Sequence, residues 1–356
     1  MEPPEAESAA GLAMRQALRS AVGLPPTMQR VLFGAPPKND RGAPLDEGTH
    51  ALLSAMERAG RPRLEDLGAE RARVVYRRAN ELFDVAGPAL HSVERRSLPG
   101  PAGRLRATLF RPREGTLPVL LYFHGGGFVI GSTEEYRGFL SRLARATDVV
   151  VVGVDYRLAP EAPFPAALED GVAAFRWVLE NAGELGVDPE QVVIGGDSAG
   201  ANLSAVVCQE QIEMGGVLPR RQLLIYPRTD TRGGYGSLKH FAEGYYLTAP
   251  TMKWFTECYL GPTRDREDPR VSPLLYPRKG ELPETTVVTA GFDPLRDEGE
   301  AYARALREAG VSVRVQSFDR LVHGFITMGG VVPAAKIAVD DIAAGLHLDL
   351  SSIRTR

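Results

Sequence analysis

One serine stands in a setting that could make it a nucleophile. Ser198 is the centre of the pattern Gly-Asp-Ser-Ala-Gly at residues 196–200, which follows the apolar run Val192–Ile194 directly. A strand-like run, a glycine-flanked serine and then helix-forming residues are typical of the G-x-S-x-G nucleophile elbow. The sharp turn places the hydroxyl at a helix N-terminus, where the dipole favours developing negative charge. The pattern alone is weak, because glycine and serine are common in turns, so it needs support from other segments.

A glycine-rich segment gives such support. The hydrophobic, strand-like residues 119–123 run into His-Gly-Gly-Gly-Phe at residues 124–128. Consecutive glycines let backbone N–H groups approach a reacting carbonyl closely, as an oxyanion hole requires. We predict that the hole consists of the N–H groups of Gly125 and Gly126 together with that of Ala199, the residue after the nucleophile. The alternative is a plain glycine turn, which the elbow downstream makes a much weaker interpretation.

His323 is predicted to be the general base by elimination among the six histidines of the chain. In this architecture the catalytic residues follow the order Ser, Asp or Glu, His along the chain. Three histidines precede Ser198, and His240 precedes every plausible acid position. His347 lies late in an amphipathic run and is interpreted as a surface or helix-end residue. His323 follows the strand-like Val311–Phe318, at the edge where catalytic groups of open α/β sheets collect.

Two aspartates compete for the role of the acid. The segment Thr286–Gly291 is predicted to be a strand, and Asp293 leaves it almost directly, whereas Asp297 precedes the predicted helix Glu298–Ala309. We therefore predict that Asp293 orients His323 and stabilises its imidazolium, and that Asp297 is the helix N-cap. Capping by Asp293 remains an alternative, because either carboxylate could cap the helix.

Five motifs now occur in the order seen in a known family. They are His-Gly-Gly-Gly-Phe at 124–128, Asp-Tyr-Arg-Leu-Ala-Pro-Glu at 155–161, Gly-Asp-Ser-Ala-Gly at 196–200, Asp-Pro-Leu-Arg-Asp at 293–297 and His-Gly-Phe at 323–325. With them the chain resembles the hormone-sensitive-lipase family of α/β-hydrolase esterases, and most closely the bacterial branch that carries Gly-Asp-Ser-Ala-Gly. The resemblance extends over roughly residues 44–348.

This resemblance implies an α/β-hydrolase fold: an eight-stranded, mostly parallel sheet flanked by helices, with a helical cap over the site. It also implies a serine carboxylesterase that hydrolyses short- to medium-chain carboxylic esters through an acyl-enzyme intermediate. Such chemistry requires no cofactor and no metal. The charges of residues 155–161 are interpreted as a salt-bridged turn that braces the oxyanion loop, and they are not assigned to catalysis.

Several alternatives stay open at this point. A lactone, an amide or a deacetylation substrate would suit a site built for acyl transfer equally well. A binding protein on the same scaffold, such as the plant gibberellin receptors that lack the catalytic histidine, is disfavoured because His323 is present. The glycines at 195–200 do not form a dinucleotide-binding loop, because Asp197 stands where that loop needs a glycine.

The chain is predicted to divide into four kinds of segment. Residues 1–42 form an N-terminal extension, either disordered or part of the cap, and residues 43–88 form an N-terminal cap segment. Residues 89–227 and 274–350 form the catalytic core, and residues 228–273 form a second cap segment. Within that last segment the aromatic residues Trp254, Phe255 and Tyr259 are expected mostly to pack a cap helix against the core.

Hydrophobic periodicity predicts eight strands, six of them in the alternation with helices that is typical of α/β proteins. The predicted strands are Ser92–Leu98, Leu105–Arg111, Val119–Phe123, Val149–Asp155, Val192–Gly195, Leu223–Tyr226, Thr286–Ala290 and Val311–Ser317. The first two are joined by a Pro- and Gly-rich segment that predicts a hairpin.

Composition limits the partners. The 356 residues carry a net charge of −3, which gives no reason to expect nucleic acid or an anionic membrane as a partner. The N-terminus lacks the basic and apolar parts of a signal peptide, and no apolar run is long enough to span a membrane. Two cysteines, Cys208 and Cys258, do not indicate a disulfide framework. We expect a cytoplasmic enzyme acting on a small-molecule ester, with a homodimer as an open alternative.

Overall fold

The protein was analysed as a computed structural model that describes residues 9–261 and 265–353. Eight strands form a single sheet. In chain order they are β1 (Ser92–Gly100), β2 (Gly103–Arg111), β3 (Leu117–Phe123), β4 (Val150–Asp155), β5 (Val187–Asp197), β6 (Arg221–Ile225), β7 (Glu284–Phe292) and β8 (Val313–Val322).

The described residues also form twelve α-helices. These are α1 (Ala9–Val22), α2 (Pro26–Phe33), α3 (Glu47–Arg58), α4 (Ala69–Phe83), α5 (Arg137–Thr147), α6 (Ala166–Glu180), α7 (Ala182–Leu185), α8 (Ala199–Glu213), α9 (Gly236–His240), α10 (Ala249–Leu260), α11 (Arg296–Glu308) and α12 (Pro333–Ile353). Within the described ranges, none of these helices combines the length and the apolarity that crossing a membrane demands.

The sheet has the strand order β1-β2-β4-β3-β5-β6-β7-β8. β1 and β2 form the predicted hairpin, closed at Gly100 and Gly103, and β2 runs antiparallel to β4. All remaining neighbours are parallel. The predicted eight-stranded, mostly parallel sheet is therefore confirmed.

Helices cover both faces of this sheet, as parallel strands require. Leu121 and Phe123 of β3 face the cluster that contains Phe175 of α6 and parts of α8 and α11. The alternate residues Leu120 and Tyr122 face a second cluster formed with α5 and α12. Because both faces are covered, every residue of β3 is buried, which explains its continuous apolar sequence.

The end of β8 differs from the sequence prediction and matters for the site. The strand continues five residues beyond the predicted Ser317, to Val322, because a register shift in the β7–β8 ladder lets Phe292 pair with Val322. Each of these paired residues is followed directly by a candidate site residue, Asp293 after β7 and His323 after β8. The ladder therefore places the acid and the base side by side at the carboxyl edge of the sheet.

The two segments predicted as caps lie in different surroundings. Leu52 of α3, in the first cap segment, and Val22 of α1, in the predicted extension, belong to the same apolar cluster as Ile342 of α12, on the α5 and α12 face of the sheet. In contrast, the insertion between β6 and β7 contains α9 and α10 and is tied to helix α8 at both ends. The Asn202 Nδ2 group donates hydrogen bonds to Arg228 O at 2.8 Å and to Val271 O at 2.9 Å. Residues 1–8 and 262–264 of the predicted extension and second cap lie outside the described residues.

Candidate active site

The backbone at Ser198 adopts the strained conformation that a nucleophile elbow needs. Strand β5 ends at Asp197 and α8 begins at Ala199, so Ser198 is the single residue between them. Its φ of 55° and ψ of −115° are unusual for a residue with a side chain. The turn is held because the Ser198 N–H donates to Ile225 O at 2.8 Å, at the end of the neighbouring strand β6.

The glycines on either side of the serine leave room for this turn. A side chain at Gly200 would overlap the Phe123 carbonyl oxygen at the end of β3, and one at Gly196 would overlap Gly200 and the same carbonyl. Both obstacles are backbone atoms, which cannot swing aside as a flexible side chain can. Glycine is therefore the residue that fits at positions 196 and 200.

The structure brings Ser198, His323 and Asp293 together, although 125 residues separate Ser198 from His323 along the chain. His323 Nε2 lies 3.0 Å from Ser198 Oγ, and His323 Nδ1 lies 2.8 Å from Asp293 Oδ2. The carboxylate of Asp293 only accepts, so the neutral imidazole carries its proton on Nδ1 and presents a free lone pair at Nε2. This geometry allows Nε2 to accept the serine proton.

Asp293 and His323 form a buried carboxylate–imidazole pair. Asp293 has no exposed surface and His323 is 6% exposed. The second oxygen of Asp293, Oδ1, accepts a hydrogen bond from the Leu295 N–H at 2.8 Å, so the carboxylate is fixed at both oxygens. The Tyr226 ring packs on the imidazole, with the ring centroids 4.4 Å apart.

The prediction that Asp297 is a helix N-cap is wrong. Helix α11 begins at Arg296, so Asp297 is already its second residue and cannot occupy the cap position. Its Oδ2 instead accepts a hydrogen bond from the Ser237 N–H at 2.8 Å, which links α11 to α9. Asp293 takes part in the turn before α11 through Leu295, so the same side chain contacts both that turn and the histidine.

The structure also corrects the predicted oxyanion hole at Gly125. The Gly125 N–H donates to Asp197 Oδ1 at 2.8 Å, so this donor is already occupied. Gly126, Gly127 and Ala199 line the cavity around Ser198, whereas Gly125 does not. Among the described residues, the N–H groups of Gly126, Gly127 and Ala199 have no protein acceptor. The available donors therefore start one glycine later than predicted.

The backbone of this loop depends on glycine for both space and conformation. Gly126 has φ of 114° and Gly127 has φ of 62°. A side chain at Gly126 would overlap the Ile130 carbonyl oxygen, and one at Gly127 would overlap the Phe255 ring. Substituting either glycine would therefore move the backbone donors that face the cavity.

Asp197 is a site residue that the sequence reasoning missed. Its carboxylate is 3% exposed and accepts from three tyrosine hydroxyls as well as from Gly125. The Oδ1 atom accepts from Tyr122 at 2.8 Å, while Oδ2 accepts from Tyr136 at 3.1 Å and lies 3.4 Å from the Tyr226 hydroxyl. Burial raises the pKa of Asp197 to about 6, although the tyrosine hydrogen bonds oppose the shift. The only available signal was an acidic residue inside an otherwise apolar elbow.

The segment at 155–161 contacts the oxyanion loop, but not as a turn closed by its own salt bridges. Tyr156 donates from its hydroxyl to His124 O at 2.7 Å. Arg157 pairs with Asp170 on α6, and Glu161 pairs with Arg73 on α4. Asp155 accepts from the Thr133 N–H at 2.7 Å, just after the loop, and Arg73 also donates to Val129 O at 2.8 Å. The segment therefore supports the loop through the Tyr156 hydroxyl, the Asp155 carboxylate and Arg73, the partner of Glu161, and not through a salt bridge within the turn.

A cavity extends from Ser198 between the core and the inserted segments. Residues of α4, of α10 and of the segments beside them close it on the side away from the sheet. Its apolar lining on that side is Leu64, Tyr76, Tyr246, Leu247, Met252, Phe255 and Tyr259. Of the three aromatic residues expected to pack against the core, Phe255 and Tyr259 thus line the cavity and Trp254 does not. Phe128, on the oxyanion loop, stacks on Tyr259 with the ring centroids 3.8 Å apart.

Comparisons with known proteins agree with this geometry. A family model described as the alpha/beta hydrolase fold matches residues 120–327. Carboxylic ester hydrolase LipN of Mycobacterium tuberculosis is 42% identical over 275 residues, which cover 75% of this chain and 73% of LipN. Ethyl acetate hydrolase of Pseudomonas putida is 37% identical, over 65% of this chain and 74% of that protein.

Solved structures give the same result over more of the chain. The ester hydrolase EH1AB1 from the metagenome of Lake Arreo, complexed with a derivative of bipyridine phosphonate, superposes with a TM-score of 0.84 at 40% identity, covering 86% of this chain and 99% of that one. A thermostable esterase from Pseudomonas putida ECU1011 gives a TM-score of 0.82 at 36% identity, covering 86% and 98%.

The chain therefore belongs to the α/β-hydrolase family. Within that family it groups with the hormone-sensitive-lipase-like esterases, and it is a carboxylic ester hydrolase that acts on small-molecule esters.

Proposed function

We propose that Ser198, His323 and Asp293 carry out ester hydrolysis in two acyl-transfer steps, with the N–H groups of Gly126, Gly127 and Ala199 as the oxyanion hole. The observation that supports this most directly is the unbroken chain of contacts, 3.0 Å from Ser198 Oγ to His323 Nε2 and 2.8 Å from His323 Nδ1 to Asp293 Oδ2. Gly127 takes the place of Gly125 in the proposed oxyanion hole, because the Gly125 N–H is already bonded to Asp197.

In the first step Ser198 Oγ attacks the ester carbonyl carbon, and its proton passes to His323 Nε2. The carbonyl oxygen becomes an oxyanion that the three backbone N–H groups stabilise by hydrogen bonds. Asp293 stabilises the imidazolium that forms in this step. The bond to the alcohol oxygen then breaks, that oxygen takes the proton from Nε2, and the acyl group remains on Ser198.

In the second step a water molecule gives a proton to His323 Nε2 and its oxygen attacks the acyl carbon. The oxyanion forms again in the same hole. The bond from the acyl carbon to Ser198 Oγ breaks, and Oγ recovers the proton from Nε2 while the carboxylic acid leaves. All protons are accounted for by one histidine, so the cycle is complete without any further group from the protein.

We also propose that residues 43–88 and 228–273 act as a two-part cap on a core of residues 89–227 and 274–350. Tyr76 from the first segment and Phe255 and Tyr259 from the second line the cavity, which supports this division. Bulky side chains at these positions limit the space beyond Ser198, so short to medium acyl chains are the preferred substrates. A cytoplasmic location and a homodimer remain predictions of the sequence.

The decisive experiment compares Ser198→Ala with the wild-type protein on p-nitrophenyl acetate and butyrate. Loss of a serine nucleophile lowers kcat by roughly 10⁴-fold or more, because only the oxyanion hole and substrate binding remain. Ser317→Ala on β8 is the matched control, since its hydroxyl contacts Asp319 and Thr289 far from the cavity. A folded Ser198→Ala protein with near-normal turnover would refute the assignment.

A further inference from the structure

Side chains fix the backbone of the oxyanion loop at three successive polar groups. The His124 carbonyl accepts from the Tyr156 hydroxyl at 2.7 Å. The Gly125 N–H donates to Asp197 Oδ1 at 2.8 Å, and the Gly125 carbonyl lies 2.7 Å from His124 Nδ1. A carbonyl can only accept, so His124 Nδ1 carries a proton and donates it. Burial lowers the pKa of His124, which keeps this ring neutral.

These three contacts together determine where the Gly126 N–H points. The His124 carbonyl and the Gly125 N–H belong to one peptide unit, which Tyr156 and Asp197 hold from opposite sides. The Gly125 carbonyl and the Gly126 N–H belong to the next unit. Because a trans peptide is planar, fixing the carbonyl in one direction turns the N–H in the opposite direction. The direction of the Gly126 N–H is thus set by His124, Tyr156 and Asp197.

Asp197 connects this loop to the nucleophile. It precedes Ser198 in the chain, so its carboxylate joins the elbow at the end of β5 to the loop that follows β3. Three tyrosine hydroxyls hold the carboxylate itself, from Tyr122, Tyr136 and Tyr226. In the described part of the chain, no lysine or arginine is among the groups that act most strongly on its carboxylate. Its contacts are directional hydrogen bonds with neutral donors, which define a position rather than neutralise a charge.

We propose that Asp197 is a positioning residue that fixes the oxyanion-hole donors relative to Ser198, with His124 and Tyr156 completing the same support. This inference rests on the proposed function, because it concerns the donors of that reaction. It assigns to Asp197 no contact with the reacting atoms. Its effect is on the placement of the Gly126 and Gly127 N–H groups, and therefore on the stability of the transition state rather than on substrate affinity.

The substitution Asp197→Asn tests this with little change in shape. An amide keeps one acceptor oxygen but replaces the other with an NH₂ donor, so it can no longer accept from Gly125 and Tyr122 at one position and from Tyr136 and Tyr226 at the other. We expect kcat on p-nitrophenyl acetate to fall roughly 10- to 100-fold, with KM changing by less than about threefold. The inhibition constant of an aryl trifluoromethyl ketone, which forms an oxyanion on the serine, should rise by a similar factor.

Tyr276→Phe is the matched control. It breaks a tyrosine–carboxylate hydrogen bond elsewhere in the protein, the one from Tyr276 to Glu213 at 2.7 Å, and neither residue lines the cavity. Its kcat and inhibition constant should stay within about twofold of the wild-type values. A purely structural role for Asp197 would change the melting temperature while leaving kcat per folded molecule and the inhibition constant unchanged, and that result would overturn the proposal.

Tyr156→Phe provides a second test if Asp197→Asn fails to fold. It removes only the hydroxyl that holds the His124 carbonyl, and we expect kcat to fall roughly three- to tenfold with KM unchanged. An unchanged kcat in this variant would also count against the proposal. The proposed function fails separately, if wild-type protein hydrolyses no ester or if Ser198→Ala remains active. Normal turnover in Asp197→Asn beside an inactive Ser198→Ala would reject the positioning role alone.

Discussion

The site contains two buried carboxylates with very different surroundings. Asp293, at the carboxyl edge of β7, contacts an imidazole that can become charged, whereas Asp197, at the end of β5, contacts only neutral donors. The first carboxylate meets its opposite charge during the proposed reaction. Asp197 keeps the same neutral hydrogen-bond donors throughout the proposed reaction. Burial alone therefore does not reveal what a carboxylate does, and the identity of its donors does.

The two carboxylates also differ in which free energy they affect, that of the transition state or that of folding. For Asp293, an ionised carboxylate stabilises the imidazolium formed in the transition state, so its charge contributes to the rate. For Asp197, burial raises the pKa to about 6, which means that ionisation inside the protein costs free energy of folding. A charge that destabilises the fold while holding the oxyanion loop is typical of strain stored at a functional site.

The largest expected effect comes from replacing Asp293. Asp293→Asn should lower kcat by about 10³- to 10⁴-fold, because the amide favours the wrong imidazole tautomer and gives no charge to stabilise the imidazolium. The matched control is Asp297→Asn, four residues later, whose carboxylate contacts Ser237 and Arg296 and not the histidine. Steady-state kinetics on p-nitrophenyl acetate measures both. Exchanged phenotypes would show that Asp297 is the acid.

A smaller effect is expected at Asp197, where the ionised carboxylate lowers the free energy of unfolding. A folded pKa of about 6 lies above the unfolded value of about 3.9, so the folded state binds the proton more tightly. The stability contributed by the bound proton is complete only well below the unfolded pKa of about 3.9, and it is lost as pH rises through the folded pKa of about 6. Asparagine does not titrate. The free energy of unfolding of wild type relative to Asp197→Asn should therefore fall by about 2 kcal/mol between pH 4 and pH 7.

Urea denaturation of both proteins at pH 4, 5, 6 and 7 measures this change. Asp40→Asn is a control of opposite sign, because the hydrogen bond and charge of Arg296 lower the pKa of Asp40 to about 2. In the unfolded state, with a pKa of about 3.9, Asp40 is still about half protonated at pH 4, so the free energy of unfolding of wild type relative to Asp40→Asn should rise slightly, by less than about 0.5 kcal/mol, between pH 4 and pH 7. The absence of a fall for Asp197→Asn would mean that the buried carboxylate is not destabilised.

These two carboxylates also show what the sequence could and could not predict. Asp293 could be predicted because the order of the catalytic residues and the end of a strand can both be read from the sequence. The elbow glycines at 196 and 200 could be predicted from one short motif. The Gly125–Asp197 hydrogen bond joins residues 72 positions apart and depends on which way one peptide plane faces. A glycine run predicts that N–H groups are accessible, but not which of them turns inward. The Asp297 cap failed for a related reason, because helix α11 starts earlier than its charge pattern indicates.

The smallest expected effect concerns the cavity, where two neighbouring aromatic residues of α10 behave differently. The Phe255 ring lines the cavity and lies against Gly127 of the oxyanion loop, whereas Trp254 packs beside it, with the ring centroids 5.1 Å apart, and does not line the cavity. Phe255→Ala should make room for longer acyl chains. We expect its kcat/KM for the octanoate ester relative to the acetate ester to rise roughly five- to tenfold, because each buried methylene contributes about 1 kcal/mol.

Trp254→Ala is the matched control, since it removes an aromatic ring from the same helix turn without opening the cavity. Its octanoate-to-acetate ratio should stay within about twofold of the wild-type ratio. Both ratios come from kcat/KM on p-nitrophenyl esters with purified, folded proteins. Equal changes in the two variants would indicate that α10 acts only by packing, as the sequence pattern first suggested. An unchanged ratio in Phe255→Ala would place the limit on acyl length elsewhere, and the insertion at 228–273 would then not shape the pocket through this helix.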